Sequence, residues 1–179
     1  MTTKNIDFPE LSEQQLEALV KLNPEYRQFT CLKQCQEQGV IVLLHNITDD
    51  FPLVIQAPEQ EDAASKAEGE DTIEDFIPIW SHPQQAQYFL KHNLEGKAGA
   101  PQCEIKLLPL EVFKAQWIDI LEQANIHLAL MPLSADDDFA FVAPDIFRNE
   151  DAAKAAAEAS AKEASADLIA ATKEASQQK

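Results

Sequence analysis

The chain has 179 residues, 14 of them basic and 31 acidic, for a net charge of −17. An excess of this size repels nucleic-acid backbones and anionic membrane surfaces, which are bound through clustered Lys and Arg. The expected partner is therefore neither nucleic acid nor membrane, but a basic protein that such a surface would steer.

The length suits one domain with appendages. Cys31, Cys35 and Cys103 are an odd number of cysteines, as free thiols of a reducing compartment commonly are. Met1 to Asp7 lack the apolar core of a signal peptide, and the longest aliphatic run, Val40 to Leu44, is far below the roughly 20 residues that span a bilayer. These signs read as a cytoplasmic protein.

Ser12-Glu13-Gln14-Gln15 has the form of a capping box, with Leu11 placed as a staple ahead of it. Leu16, Leu19, Val20 and Leu22 then supply an apolar stripe, which Asn23-Pro24 interrupts because the residue before proline avoids the helical region. A second helix is predicted from Pro24 to about Gln38. Tyr26, Phe29, Cys31, Leu32 and Cys35 should be its inner residues and Gly39 its left-handed terminator.

Val40 to His45 and Phe51 to Ala57 read as strands of a hairpin, joined by the turn formers Asn46 to Asp50. Pro52 cannot donate to a ladder and points to an edge or a strand end. Between residues 58 and 75 stand eight acids against Lys66, with no aromatic residue. Such a segment cannot bury enough apolar surface to offset its ordering entropy and is predicted to be a mobile acidic loop. Its Glu68, Glu70 and Asp71 are candidate contacts for a basic partner.

Phe76 to Trp80 form an apolar strand, and Ser81, Pro83 and the helical spacing of Ala86, Phe89 and Leu90 start a helix directly after it. Ser81 is the expected cap and Pro83 the first-turn residue, leaving His82 at the junction. After a Gly-containing and Pro-containing loop from Asn93 to Gln102, Cys103 to Leu107 make a short strand. Pro109 opens a helix whose Leu110, Phe113, Trp117, Ile120 and Leu121 recur at core spacing. Ile126 to Met131 and Phe139 to Ala143 alternate as strands, with Asp136 to Asp138 at the connecting tip. From 148 to 179 the tract is alanine-rich, Asn149 is placed to cap it, and Leu168 and Ile169 are its only large apolar residues. A frayed, solvent-exposed helix is predicted there.

Chemistry-bearing motifs are sparse. The sequence has no nucleophile elbow, no phosphate-cradling glycine loop and no dinucleotide fingerprint. Cys31 and Cys35 fit burial on one helix face better than a metal half-site, and Asp136 to Asp138 lack the further ligands of a calcium loop. No catalytic residue, metal or cofactor is expected. Among the four histidines, His82 stands out because a side chain at a strand-to-helix junction can line a cleft at a sheet end. Trp80 and His82 are thus the candidate ligand-binding pair.

Pro78-Ile79-Trp80-Ser81-His82 followed by Ala86 resembles the Pro-Val-Trp-Pro-His signature of a family of small bacterial proteins known as a domain of unknown function. Phe113, Trp117 and Leu121, then Ile126 to Pro132, resemble that family's helix and following strand. The likeness spans roughly Ser12 to Phe147. Ser81 stands where the family usually has proline, and Asp119-Ile120 where it tends to have Pro-Gly. A more distant likeness is to the serine-sensitivity-enhancing protein family. Neither resemblance implies an activity.

The expected architecture is a single α+β domain over residues 10–147. It would have a mixed sheet of about six strands with helices packed against it, strand-helix-strand units as parallel crossovers, and an appended C-terminal helix over 148–179. The expected function is a non-catalytic protein-interaction or regulatory module; the competing one is a small-molecule binder or weak enzyme using a cleft beside Trp80 and His82.

Overall fold

The computed structural model describes residues 6–56, 75–134 and 141–149. The mobile-loop expectation for 58–75 falls outside them apart from Asp75, as do the Asp136 to Asp138 tip and the alanine-rich tract from 150 onward.

Helix α1 (Glu13–Val20) begins with the predicted capping box: Ser12 Oγ accepts from Gln15 N–H, and the Gln15 side chain accepts from Ser12 N–H at 2.8 Å. Asn23 caps α2 (Pro24–Gln38), and Gly39 ends it at φ +72°, a conformation an L side chain would resist. The inner face of α2 differs from expectation at Tyr26 and Phe29. Tyr26 is 44% exposed and Phe29 only half-buried, whereas Arg27 is 1% exposed. The i, i+4 row through Cys31 and Cys35 runs back to position 27, so helical phase overrides side-chain polarity.

Among the described residues, seven strands form one sheet. Strand β1 (Val40–Asn46) pairs along its whole length with β5 (Cys103–Pro109), and its other edge meets β4 (Asp75–Trp80) at Val42 and Leu43 and β2 (Phe51–Pro52) at His45 and Asn46. Strand β3 (Ile55–Gln56) pairs with Phe76 and Asp75 of β4. The single strand expected over 51–57 is therefore two short ones, which raises the strand number from about six to seven. Where β1 and β4 diverge, the chain runs along β1, bends at Leu53 and Val54, and returns along β4; Pro52 lies at that bend, where no ladder donor is needed.

Strand β4 continues the sheet in parallel with β6 (Ile126–Leu130), which pairs antiparallel with β7 (Phe141–Val142). Because β4 and β5 are both antiparallel to β1, they are parallel to each other and to β6. Trp80, Pro109 and Leu130 therefore end at one rim. All five residues from Phe76 to Trp80 are buried, so the sheet is covered on both faces here. Each fully buried Leu, Ile or Phe contributes about 1.5–3 kcal/mol to such a core.

Helix α3 (Pro83–Asn93) follows β4 and lays Phe89 on Trp80, with ring centroids 5.3 Å apart. After β5 the chain forms α4 (Leu110–Val112), a π-helical turn (Phe113–Trp117) and α5 (Ile118–Gln123). Ile118 N–H reaches back five residues to Phe113 O. The Lys114 carbonyl, which an α-helix would pair with Ile118, accepts from Arg148 Nη2 at 3.0 Å. That extra residue rotates the following helix relative to the predicted stripe. Ile118 and Leu121 are buried, Trp117 is half-buried beside Phe51, and Ile120 is 60% exposed instead of in the core. No helix among the described residues is long and apolar enough to cross a membrane.

Candidate functional site

The rim where β4 hands over to α3 gathers most of the buried polar side chains of the described residues: Ser81, His82, Gln85 and Asn93. Trp80 is fully buried, and its Nε1–H donates to Pro132 O at 2.7 Å. Met131 N–H donates to Ile79 O at 2.7 Å. Together these bonds tie the ends of β4 and β6, with Met131 out of the expected strand at φ +52°. A methionine tolerates that left-handed conformation only where its surroundings enforce it. Asn93 Nδ2 completes the clasp, donating to Phe89 O at 2.9 Å and Leu133 O at 3.4 Å.

Ser81 does not cap the helix. Its Oγ lies 2.6 Å from Gln34 Oε1 and 3.3 Å from Gln85 Oε1; with one proton, it donates to the nearer oxygen and so ties α3 to α2. His82 takes the cap position, in extended conformation, and its Nδ1 accepts from Gln84 N–H at 3.1 Å. An imidazole that accepts at Nδ1 carries its proton on Nε2, which donates to Pro9 O at 2.8 Å. His82 is 7% exposed. Burial pushes its pKa below the ordinary value, opposed in part by the bond to the Pro9 carbonyl.

The N-terminal segment lies against this junction. Phe8 meets the His82 ring edge-on at 5.2 Å. The Gln84 side-chain amide brackets Leu11: Oε1 accepts from Leu11 N–H at 2.5 Å and Nε2 donates to Leu11 O at 3.2 Å. A primary amide used this way presents the donor and acceptor pair that a neighbouring strand would.

Beneath the junction, the Cys31 and Cys35 thiols donate to Ile79 O and Trp80 O at 3.7 and 3.6 Å. The adjacent Cys31 side chain, and burial after it, hold the Cys35 thiol well above its usual range. The described residues contain no group of three metal-ligating side chains.

The two candidate ligand contacts are thus neighbours at one rim, with their polar atoms engaged within the fold: Trp80 buried against Phe89 and Pro132, His82 between the helix it caps and Pro9. Glu68, Glu70 and Asp71 lie outside the described residues. Gln84 escaped sequence reasoning because its role depends on a segment 73 residues away. Arg27 escaped because a charged residue reads as surface.

A family model described as a protein of unknown function (DUF2750) matches residues 26–150. The chain belongs to that family. No curated protein and no solved structure matches it. The DUF2750 match begins inside α2 and takes in the whole sheet, α3, Ser81, His82 and Gln84. The segment from Phe8 to Leu11 that His82 and Gln84 hold precedes it.

Proposed function

We propose that the chain is a non-catalytic protein-interaction module of regulatory character, with an acidic surface that steers a basic partner. The observation that carries this reading is the use made of the β4–α3 junction. His82 and Gln84, the polar side chains facing the N-terminal segment, bond to the main-chain atoms of Pro9 and Leu11, which is recognition chemistry. The net charge of −17 adds long-range attraction for cationic proteins. A reducing, cytoplasmic setting belongs to the same reading. A ligand that bonded to the ring nitrogens of Trp80 or His82 would have to displace Pro132, Pro9 or the Gln84 N–H from them.

The test is affinity capture from a bacterial lysate with the full chain, in low and high salt, beside the E68Q/E70Q/D71N variant. A recurrent partner retained at low salt, released by high salt and weakened by the variant is the expected result. Repeated captures with no salt-sensitive partner overturn the reading.

A further inference from the structure

The junction holds its N-terminal segment in a manner suited to exchange. We propose that the start of α3 is a docking site for an extended peptide segment of a partner protein, patterned aromatic, proline and then two residues held through their backbone. The chain's own Phe8-Pro9-Glu10-Leu11 is its resident competitor. This deepens the interaction reading above and rests on it.

All three hydrogen bonds from the site go to main-chain atoms, the Pro9 carbonyl and both amide groups of Leu11. They therefore select an extended backbone more than particular side chains. Proline at the second position suits this, because it has no N–H to satisfy and biases the residue before it toward extended conformations. Side-chain selectivity falls on the first position, where Phe8 meets the His82 ring. Glu10 is exposed, which leaves the third position unconstrained.

The site and its occupant also belong to different parts of the chain. His82 and Gln84 lie inside the DUF2750 match and Phe8 to Leu11 outside it. The segment leads into α1, whose sole buried residue is Leu16. Three hydrogen bonds of about 1 kcal/mol each make a hold that thermal motion and a competitor can undo. A tethered occupant also acts at an effective concentration of about millimolar, so a partner must exceed that to displace it.

The experiment is an NMR titration of full-length protein with a synthetic peptide of residues 6–12. It is run on wild type, on F8A/L11P, which removes the ring contact and the Leu11 N–H from the tethered occupant, and on F8A/L11P/Q84A. The expected result is binding to F8A/L11P about tenfold tighter than to wild type, returning to the wild-type level with Q84A. Equal binding to wild type and F8A/L11P, or binding that survives Q84A, overturns the proposal. So does a wild-type dimer in light scattering that F8A/L11P abolishes, since the occupant would then come from a second copy. Should F8A/L11P not fold, Q84A in the otherwise native chain serves. It removes both the acceptor for Leu11 N–H and the donor to Leu11 O, so amide exchange at Leu11 should speed up several-fold; unchanged exchange overturns the proposal. If the peptide fails while the salt-sensitive partner is still captured, the docking site falls and the interaction reading stands. Loss of both removes both.

Discussion

Nε2 of His82 donates to the carbonyl of Pro9 at 2.8 Å, across 73 residues of sequence, while Nδ1 of the same ring caps α3. One imidazole in one tautomer therefore fixes both a helix start and the path of the N-terminal segment. Protonation at Nδ1 would remove the cap and place a positive charge at the helix N-terminus, where the backbone dipole opposes it.

Acidification should therefore weaken the fold in a defined window. Burial places the native pKa of His82 below its ordinary value of about 6.5. As pH falls below that value, the unfolded chain takes up the proton before the native chain does. The contribution of His82 is complete above about pH 6.5 and declines as pH falls toward the native pKa, levelling once the native ring is protonated. His82→Ala should cost about 1 kcal/mol at neutral pH through the lost cap. The gap between variant and wild type should narrow in acid. Denaturant unfolding of both proteins across this range checks it; a gap that widens on acidification contradicts the assigned tautomer.

Trp80→Phe should be markedly destabilising despite conserving aromatic bulk, because the buried Pro132 carbonyl loses its donor, at about 1–3 kcal/mol. Trp80→Ala should cost about 3–5 kcal/mol. In a Trp117→Phe background, the fluorescence left to Trp80 should resist acrylamide quenching, whereas Trp117 alone should be quenched. Equal quenching of the two would contradict the burial of Trp80.

The π-helical turn predicts opposite outcomes for neighbouring isoleucines. Ile118→Ala should cost about 2–5 kcal/mol, while Ile120→Lys should stay within about 0.5 kcal/mol of wild type. Thermal unfolding of the two variants distinguishes this from an uninterrupted α-helix, in which Ile120 would face the core.

Thiol chemistry gives a third structural test. Cys31 and Cys35 are fully buried, and Cys35 is held in its protonated form. Burial also raises the pKa of half-exposed Cys103. Native protein should therefore label slowly at Cys103 and not at the other two, with all three reacting in denaturant. Fast native labelling of Cys31 or Cys35, read by peptide mass, would show that α2 does not pack as described.

Much of the fold was legible because its signals are local. The capping box at Ser12, the left-handed stop at Gly39 and the switch from strand to helix after Trp80 each depend on residues within one helical turn. The errors arose where a non-local partner outweighs a local preference. Ser81 has the better capping side chain, yet Gln34 of α2 takes its hydroxyl and His82 becomes the cap. The spacing of Ile120 fits the inner stripe of an α-helix, yet one inserted residue turns Ile118 inward in its place. Phe51 to Ala57 reads as one strand, yet diverging neighbours break it between two partners.

Sequence alone determined that this is an acidic α+β chain with a buried tryptophan strand running into a helix, because composition and hydrophobic period act on the backbone over a few residues. Only the tertiary structure decided that three strand ends share a rim, that Arg27 is buried, and that Phe8 to Leu11 rests against His82 and Gln84. Those relationships join segments far apart along the chain. They are set by which surfaces fit and which polar atoms remain to be paired after the core closes, and no local pattern encodes either.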